Sequence, residues 1–372
     1  MKKVKTCVYA IALNEIKFVD RFMDHCEGAD LVLVCDTGST DGTAERLRER
    51  GAVVYDIIQK PWRFDVPRNT ALNLIPNDID ICLSIDLDEF LQPGWDKAIN
   101  REWKKHEGKI KRIAYDYIWN WTEDGRPDIR FNADKIHHRH NYIWRHPCHE
   151  TLYYEGDDHE LRIVIDDLQL QHHADVTKSR GQYLHLLKMA VEEAPENDRM
   201  RHYYARECFF KSQHEEAINQ FETHLSLPNA QWKEERAASY RYMSRAYRYL
   251  NKLKESQDAA LQGTLEWPWS REPWLELARA CYSTKDWHTC FYAVTKCLSI
   301  NQATRSYMGD SASWGQEPYD LAALAAYNLG YFLEAYENGK KAYELNINDQ
   351  RLKNNMNYYL EKYNEELDKL RS

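Results

Sequence analysis

The chain has 372 residues, 43% of them hydrophobic, with 50 Lys and Arg against 59 Asp and Glu for a net charge of −9. That length accommodates two domains with cores of their own, the apolar share excludes wholesale disorder, and the acidic balance excludes a protein that coats nucleic acid over its whole surface. Nine cysteines without a C-x-x-C pair exclude a secreted disulfide scaffold and read as buried or free thiols in a reducing, cytoplasmic compartment.

The amino terminus, "MKKVKTCVYAIALNE", joins basic residues to a short apolar run without a small-residue cleavage site, so "KTCVYAIAL" is expected to be a first strand and not a secretory leader. No stretch approaches the ~20 apolar residues of a membrane span. "NEIKFVDRFMDHCEG" places Ile16, Val19, Phe22 and Met23 on one helical face. Strand "DLVLVCD", helix "TAERLRERG", strand "AVVYDII", helix "PRNTALNLI" and strand "DICLSID" follow. Strands separated by single helices predict a parallel, doubly wound, Rossmann-like α/β sheet with right-handed crossovers. Such sheets bind ligands at the carboxyl ends of their strands. "CDTGSTDGT" marks one such end: Asp36 closes a strand, and Ser39, Thr40 or Asp41 has the side chain to cap the next helix.

After Phe90 a basic helix, "WDKAINREWKKHEG", leads into aromatic, β-rich sequence from Ile110 to Tyr154 with a hairpin at "TEDGRPD". This segment is expected to form the mixed end of the sheet and a flap exposing His137, His138 and His140. From Ser179 the sequence is helical, which places the predicted domains at 1–178 and 179–372. "HEEAINQFETHLSLP", "KESQDAALQGTLEWP", "WHTCFYAVTKCLSIN" and "FLEAYENGKKAYELN" read as second helices of successive hairpins, each with a small residue (Ala217, Ala259, Ala293, Ala335) where helices approach closely. Their spacing lies near the ~34-residue period of tetratricopeptide repeats, with an insertion around "ATRSYMGDSASWGQEP". An irregular bundle is the alternative.

In "SIDLDEFLQPGW" an apolar strand runs into Asp86, Leu87 and Asp88, and alternation puts both aspartates on one side of an extended chain. Like charges held together call for a cation, and hard divalent ions favour such oxygens. In chain order, "IALNE", "DTGSTDGT", "WRFDVPRNTALN", "SIDLDEF", "PCHETL" and "LQHHADVTKSRGQYLHLL" resemble the family 2 glycosyltransferases of the GT-A fold, particularly those carrying a tetratricopeptide tail. The resemblance implies that Asp36 recognises the base or ribose of a sugar nucleotide, with Ala10, Ala12 and Glu15 lining the same end. It also implies that Asp86, Leu87 and Asp88 grip the diphosphate through magnesium or manganese. Asp65, Arg68 and Asn69 resemble the family's element beside the donor phosphates, with Val66 and Pro67 in a shorter gap; a surface salt bridge is the other reading of Arg68. Glu150 matches the family's acceptor-side position for a general base, with His146 and Pro147 where a glycine turn is usual; a structural glutamate paired with an arginine is its rival. His149, His172 and His173 are candidates to complete metal coordination, or ordinary structural histidines.

The function implied is a metal-dependent, inverting glycosyltransferase using a nucleoside-diphosphate sugar, most readily a UDP-sugar. The acceptor is a protein or peptide, a glycan, or a hydroxymethylated base of phage DNA. For the last, the basic stretch from Lys97 to Arg145 would supply phosphate contacts and Tyr115, Tyr117, Trp119, Trp121, Tyr142 and Trp144 would supply stacking; a solvated helix and a β core explain the same residues. A non-catalytic scaffold with a vestigial nucleotide domain is the reading from another class. Partner binding by the helical array and homo-oligomerisation are compatible with all of these.

Overall fold

The computed structural model describes residues 3–122, 125–175 and 181–371. The chain divides into two compact units, Met1–Ala190 with Arg305–Tyr307 and Val191–Thr304 with Met308–Ser372. The boundary expected between residues 178 and 179 falls outside the described residues.

In unit 1, β1 (Thr6–Ala12), α1 (Ile16–His25), β2 (Leu31–Asp36), α2 (Thr43–Glu49), β3 (Val53–Asp56), α3 (Asp65–Leu74) and β4 (Ile81–Ser84) alternate as expected. They are followed by β5 (Glu89–Leu91), α4 (Trp95–Lys105), β6 (Arg112–Ile118), β7 (Arg130–His138), β8 (Tyr142–Arg145), β9 (Thr151–Tyr154) and β10 (Arg162–His172). Eight strands form one sheet in the order β3-β2-β1-β4-β7-β6-β10-β5, and β8 and β9 form a separate hairpin. The first four are parallel; β7 runs antiparallel to both β4 and β6, which makes the mixed end.

Both faces of β1 are covered, which is why its sequence is an almost continuous apolar run. Val8, Ala10 and Ala12 pack with Phe18, Val19 and Phe22 of α1, Leu47 of α2 and Trp95 of α4. Cys7 and Tyr9 point the other way, against Ala71 and Leu72 of α3 and Trp144 of β8. His137 is a correction: it is fully buried on β7, facing the Tyr9 hydroxyl at 2.9 Å. Only His140 of the three flap histidines is exposed.

α5 (Tyr183–Glu193) runs across the division between units. Unit 2 contains α6 (Asp198–Phe210), α7 (His214–Ser226), α8 (Lys233–Tyr249), α9 (Leu253–Glu266), α10 (Arg271–Thr284), α11 (Trp287–Ser299), α12 (Glu317–Asn328), α13 (Phe332–Leu345) and α14 (Gln350–Arg371). Helices α6/α7, α8/α9, α10/α11 and α12/α13 pair as tetratricopeptide-like hairpins, and the second member of each is the predicted one. Ala217, Ala293 and Ala335 are 0% exposed and Ala259 is 6% exposed, so each small residue sits at a close helix approach. All nine cysteines are free and buried. No described helix is long and apolar enough to cross a membrane.

Candidate functional site

Residues 13–15 and 37–42 leave the carboxyl ends of β1 and β2, and polar groups lace the two loops together. Asn14 N donates to Ser39 Oγ and Thr40 N to Asn14 Oδ1, both at 2.8 Å; Glu15 N donates to Thr43 Oγ1 at 2.8 Å and Ile16 N to Asp41 Oδ2 at 3.1 Å. Asp41 Oδ1 also accepts from Thr43 N at 3.0 Å, so one carboxylate serves the first turns of both α1 and α2. Ser39 and Thr40 tie loops and cap neither helix; the position before α2 is Gly42 at φ 92°, a left-handed conformation that suits glycine. Asp36, 3% exposed, turns Oδ1 onto Gly38 N at 3.0 Å and Ser39 N at 2.8 Å. Its Oδ2 is buried with no hydrogen-bond partner among the described residues. Leaving such an acceptor unmatched costs about 1–3 kcal/mol. Ala10 and Ala12 place their methyl groups in the core, and Ala12 adds a carbonyl that accepts from Thr37 N and Oγ1, each at 2.9 Å.

β4 ends at Ser84, and Asp86 to Glu89 form a turn closed by Glu89 N to Asp86 O and Asp86 N to Glu89 Oε2, both 2.9 Å. Asp86 and Asp88 are thus presented by a turn and not by an extended strand. Leu87 between them is 1% exposed and belongs to the core, which turns its neighbours outward. Because β1 lies between β2 and β4, the tips bearing Asp36 and Asp86 are one strand apart, about 10 Å at ~4.8 Å per spacing.

Arg68 on α3 is 5% exposed, which removes the surface salt-bridge reading. Its Nη2 donates to Asp86 Oδ1 and Oδ2 at 2.8 and 3.1 Å, Nε to Glu150 Oε1 at 2.5 Å and Nη1 to Ser84 Oγ at 3.3 Å. Burial works against its charge, yet Asp86 and Glu150 hold it well above the ordinary arginine range. Burial likewise opposes ionisation of Asp86, and Arg68 followed by Lys135 pulls it well below the usual carboxylate range. Glu150 reaches Arg68 from the β8–β9 loop, where His146 and His149 adopt φ of 83° and 51° in place of a glycine turn. Pro147 O accepts from Phe64 N at 2.9 Å and pins that loop near α3. Asp65 pairs with Arg63 (2.7 and 2.8 Å), and Asn69 bonds the backbone of β8 at Trp144 O and Trp144 N, both at 2.8 Å. These two side chains shape the wall that carries Arg68.

β10 runs beside β5 and sets His172 Nε2 3.3 Å from Asp88 Oδ2, while His172 Nδ1 lies 2.9 Å from Trp119 O. Burial lowers the basicity of this imidazole, but Asp88 outweighs it and raises the pKa above the ordinary value. His173 stacks on Phe90 at 4.4 Å, its backbone N donating to Asp88 O, and His149 lies beside Tyr183 at 6.0 Å. Among the described residues no group of three or more His, Cys, Asp or Glu side chains stands at metal-ligand spacing.

Three residues of this edge escaped the sequence reading. Glu89, 2% exposed, receives Tyr117 OH at 2.5 Å and Lys135 Nζ at 3.2 Å, and Lys135 Nζ also lies 3.6 Å from Asp86. Arg21 of α1 lies 3.8 Å over the Phe90 ring and has buried Nε and Nη2 groups without partners among the described residues. Glu89 was visible as the residue after the aspartate motif; Lys135 and Arg21 reach the edge only through strand pairing and helix packing. The basic stretch is largely neutralised, with Arg101 on Asp167, Lys111 on Asp158, Arg112 on Asp134 and Glu160, and Arg130 on Asp116. Tyr115, Tyr117, Tyr142 and Trp144 are buried, so these rings serve packing and not an open stacking platform.

No family profile and no curated protein matches the chain. Among solved structures, it is similar to YrrB, described as a TPR protein with an unusual peptide-binding site, at TM-score 0.40 and 14% identity over 48% of this chain and 84% of that one. It is similar to a chain of an APC/C hetero-tetramer at TM-score 0.39 and 13% identity over 48% of this chain and 32% of that one, so it spans about a third of that protein's length. A third likeness is MamA, at TM-score 0.37 and 17% identity over 46% of this chain and 95% of that one.

Proposed function

We propose that unit 1 is an inverting glycosyltransferase of the family 2, GT-A type, using a nucleoside-diphosphate sugar, first among them a UDP-sugar, with magnesium or manganese. The observation that carries this reading is the placement of Asp36, with its unmatched buried oxygen, and of Asp86 and Asp88 on one carboxyl edge of a parallel sheet, one strand apart. Asp36 Oδ2 would accept from the base or ribose. Asp86 and Asp88 fit a hard cation without a third protein ligand, because magnesium-type ions commonly take one or two carboxylates and complete their shell with phosphate oxygens and water. Such a cation supplies neutralisation of the diphosphate charge as it develops.

The chain's own groups do the rest. The acceptor oxygen bonds to the anomeric carbon as that carbon's bond to the diphosphate oxygen breaks, and the bonding pair leaves with the nucleoside diphosphate. Glu150 takes the acceptor proton on the carboxylate that Arg68 holds in place at 2.5 Å. Arg68, Lys135 and Arg21 supply positive charge around the departing diphosphate. A protein, peptide or glycan acceptor is preferred to DNA, since the basic stretch is paired internally.

The test is a thermal-shift screen of nucleoside-diphosphate sugars with and without manganese, since a ligand that binds the native state at a hundred times its Kd stabilises by about 2.7 kcal/mol. One sugar nucleotide is expected to raise Tm in a metal-dependent way, with most of the shift absent in Asp36→Ala. No shift with any sugar nucleotide contradicts the reading; a shift without turnover on any acceptor favours the scaffold.

A further inference from the structure

Glu89 follows the two aspartates assigned to the cation, yet only 2% of it is exposed, whereas the side chains of Asp86 and Lys135 keep 31% and 30% of their surface. Its carboxylate gathers three donors from three parts of unit 1. Oε2 accepts from Asp86 N at 2.9 Å, and Oε1 accepts from Tyr117 OH of β6 at 2.5 Å and from Lys135 Nζ of β7 at 3.2 Å. An ionised carboxylate offers about four acceptor positions, so all three donors are served without a proton on Glu89. Burying that charge is costly unless a cation answers it, and among the described residues the cation paired with Glu89 is Lys135.

Lys135 is also within reach of the edge itself: its Nζ lies 3.2 Å from Glu89 Oε1 and 3.6 Å from Asp86 Oδ2. An ammonium is a compact charge on a flexible stem and moves readily between two such oxygens. Asp86 already accepts from Arg68 Nη2 at 2.8 and 3.1 Å, so a lysine that settled on it as well would compete with a divalent ion for the oxygens that remain. We propose that Glu89 is a positioning residue for the cation: it keeps Lys135 parked beside Asp86 and off it, and through its bond to Asp86 N it fixes the turn that presents both aspartates. Glu89 is too buried to ligate the ion, so it acts through Lys135 and the turn, as outer partners of a metal site do. The inference rests on the cation that the transferase reading places at Asp86 and Asp88.

The experiment is a manganese titration of the full chain followed by electron paramagnetic resonance of the free ion, with and without UDP, in a double-mutant cycle of Glu89→Gln and Lys135→Met. Glu89→Gln releases Lys135 onto Asp86 and is expected to weaken manganese binding about tenfold. Lys135→Met should change it by about twofold or less in the wild-type background, but should restore about tenfold in the Glu89→Gln background, because only there does the lysine occupy Asp86. Far-UV circular dichroism is expected to be the same for all four proteins. Unchanged affinity in Glu89→Gln, or an equal effect of Lys135→Met in both backgrounds, as simple addition of charges would give, overturns the role of Glu89 while manganese binding tightened by UDP still supports the transferase reading. Binding that UDP does not tighten contradicts that reading, and the cycle measured with manganese alone then decides for or against Glu89; a wild-type chain that binds no manganese in either condition overturns both.

Discussion

Arg68 is the residue on which the carboxyl edge turns. It lies buried between Asp86 and Glu150, so removing it strands two carboxylates that were placed for a cation. Breaking a buried pair from one side typically costs 3–5 kcal/mol, and Lys135 remains near Asp86 to soften the loss. Arg68→Met is therefore expected to lower unfolding stability by about 3 kcal/mol, read as a shift of the urea midpoint without a change in slope. Arg68→Lys should recover only part of it, since an ammonium cannot reach Glu150 and Asp86 with separate edges of one plane. A midpoint unchanged in Arg68→Met would mean that the pairing is not held in solution.

At the scale of elements, the helical hairpins depend on how closely their backbones approach. Two helical glycines make opposite predictions. At Gly263 of α9 an added Cβ would meet Tyr240 Cβ at 3.4 Å, an ordinary contact, so Gly263→Ala should be neutral or stabilise by up to about 1 kcal/mol through helix propensity. At Gly339 of α13 the Cβ would lie 2.8 Å from Tyr359 Cδ2, and Tyr359 is only 3% exposed on α14. Gly339→Ala should then destabilise by about 1–3 kcal/mol as an overpacked contact and loosen α14. Paired thermal melts separate the two; the same sign for both would contradict the packing described. These hairpins were legible because the small residues recur at matching places in the apolar pattern. α14 was not set apart from the repeats, because its 22 residues continue the same helical periodicity. The Asp86–Glu89 turn was misjudged as strand because alternation cannot reveal that Leu87 is drawn into the core.

For the whole molecule, acid is the condition that loads its buried polar groups most heavily. Burial pushes His137 down to about 3, and His202 lies well below its ordinary value for the same reason. The unfolded chain takes up a proton near pH ~6.5 that the native state refuses until about pH 3, so stability rises with pH across that window and is lost as pH falls through it. For His137 alone the change approaches about 5 kcal/mol at ~1.4 kcal/mol per unit. Glu276, which burial would raise but Arg245, Arg248 and Arg279 hold down to about 2, adds a loss in the same direction below its unfolded range. Urea unfolding between pH 7 and 4 is expected to show this slope, and His137→Gln should flatten it; a slope identical in that variant would exclude His137. The burial of His137 could not be seen in sequence because its partner Tyr9 lies 128 positions away. Strand and helix order in the first half was legible from periodicity, and the carboxylates of the edge from their place after apolar runs. The charges that complete the edge, Lys135 and Arg21, arrive through tertiary packing alone. The most direct test of the account is transfer or hydrolysis of a labelled nucleoside-diphosphate sugar by the wild-type chain and by Asp86→Asn/Asp88→Asn with manganese present. Metal-dependent turnover lost by a hundredfold or more in the double variant is the predicted result; turnover that survives in it, or that never depends on the cation, would contradict the claim.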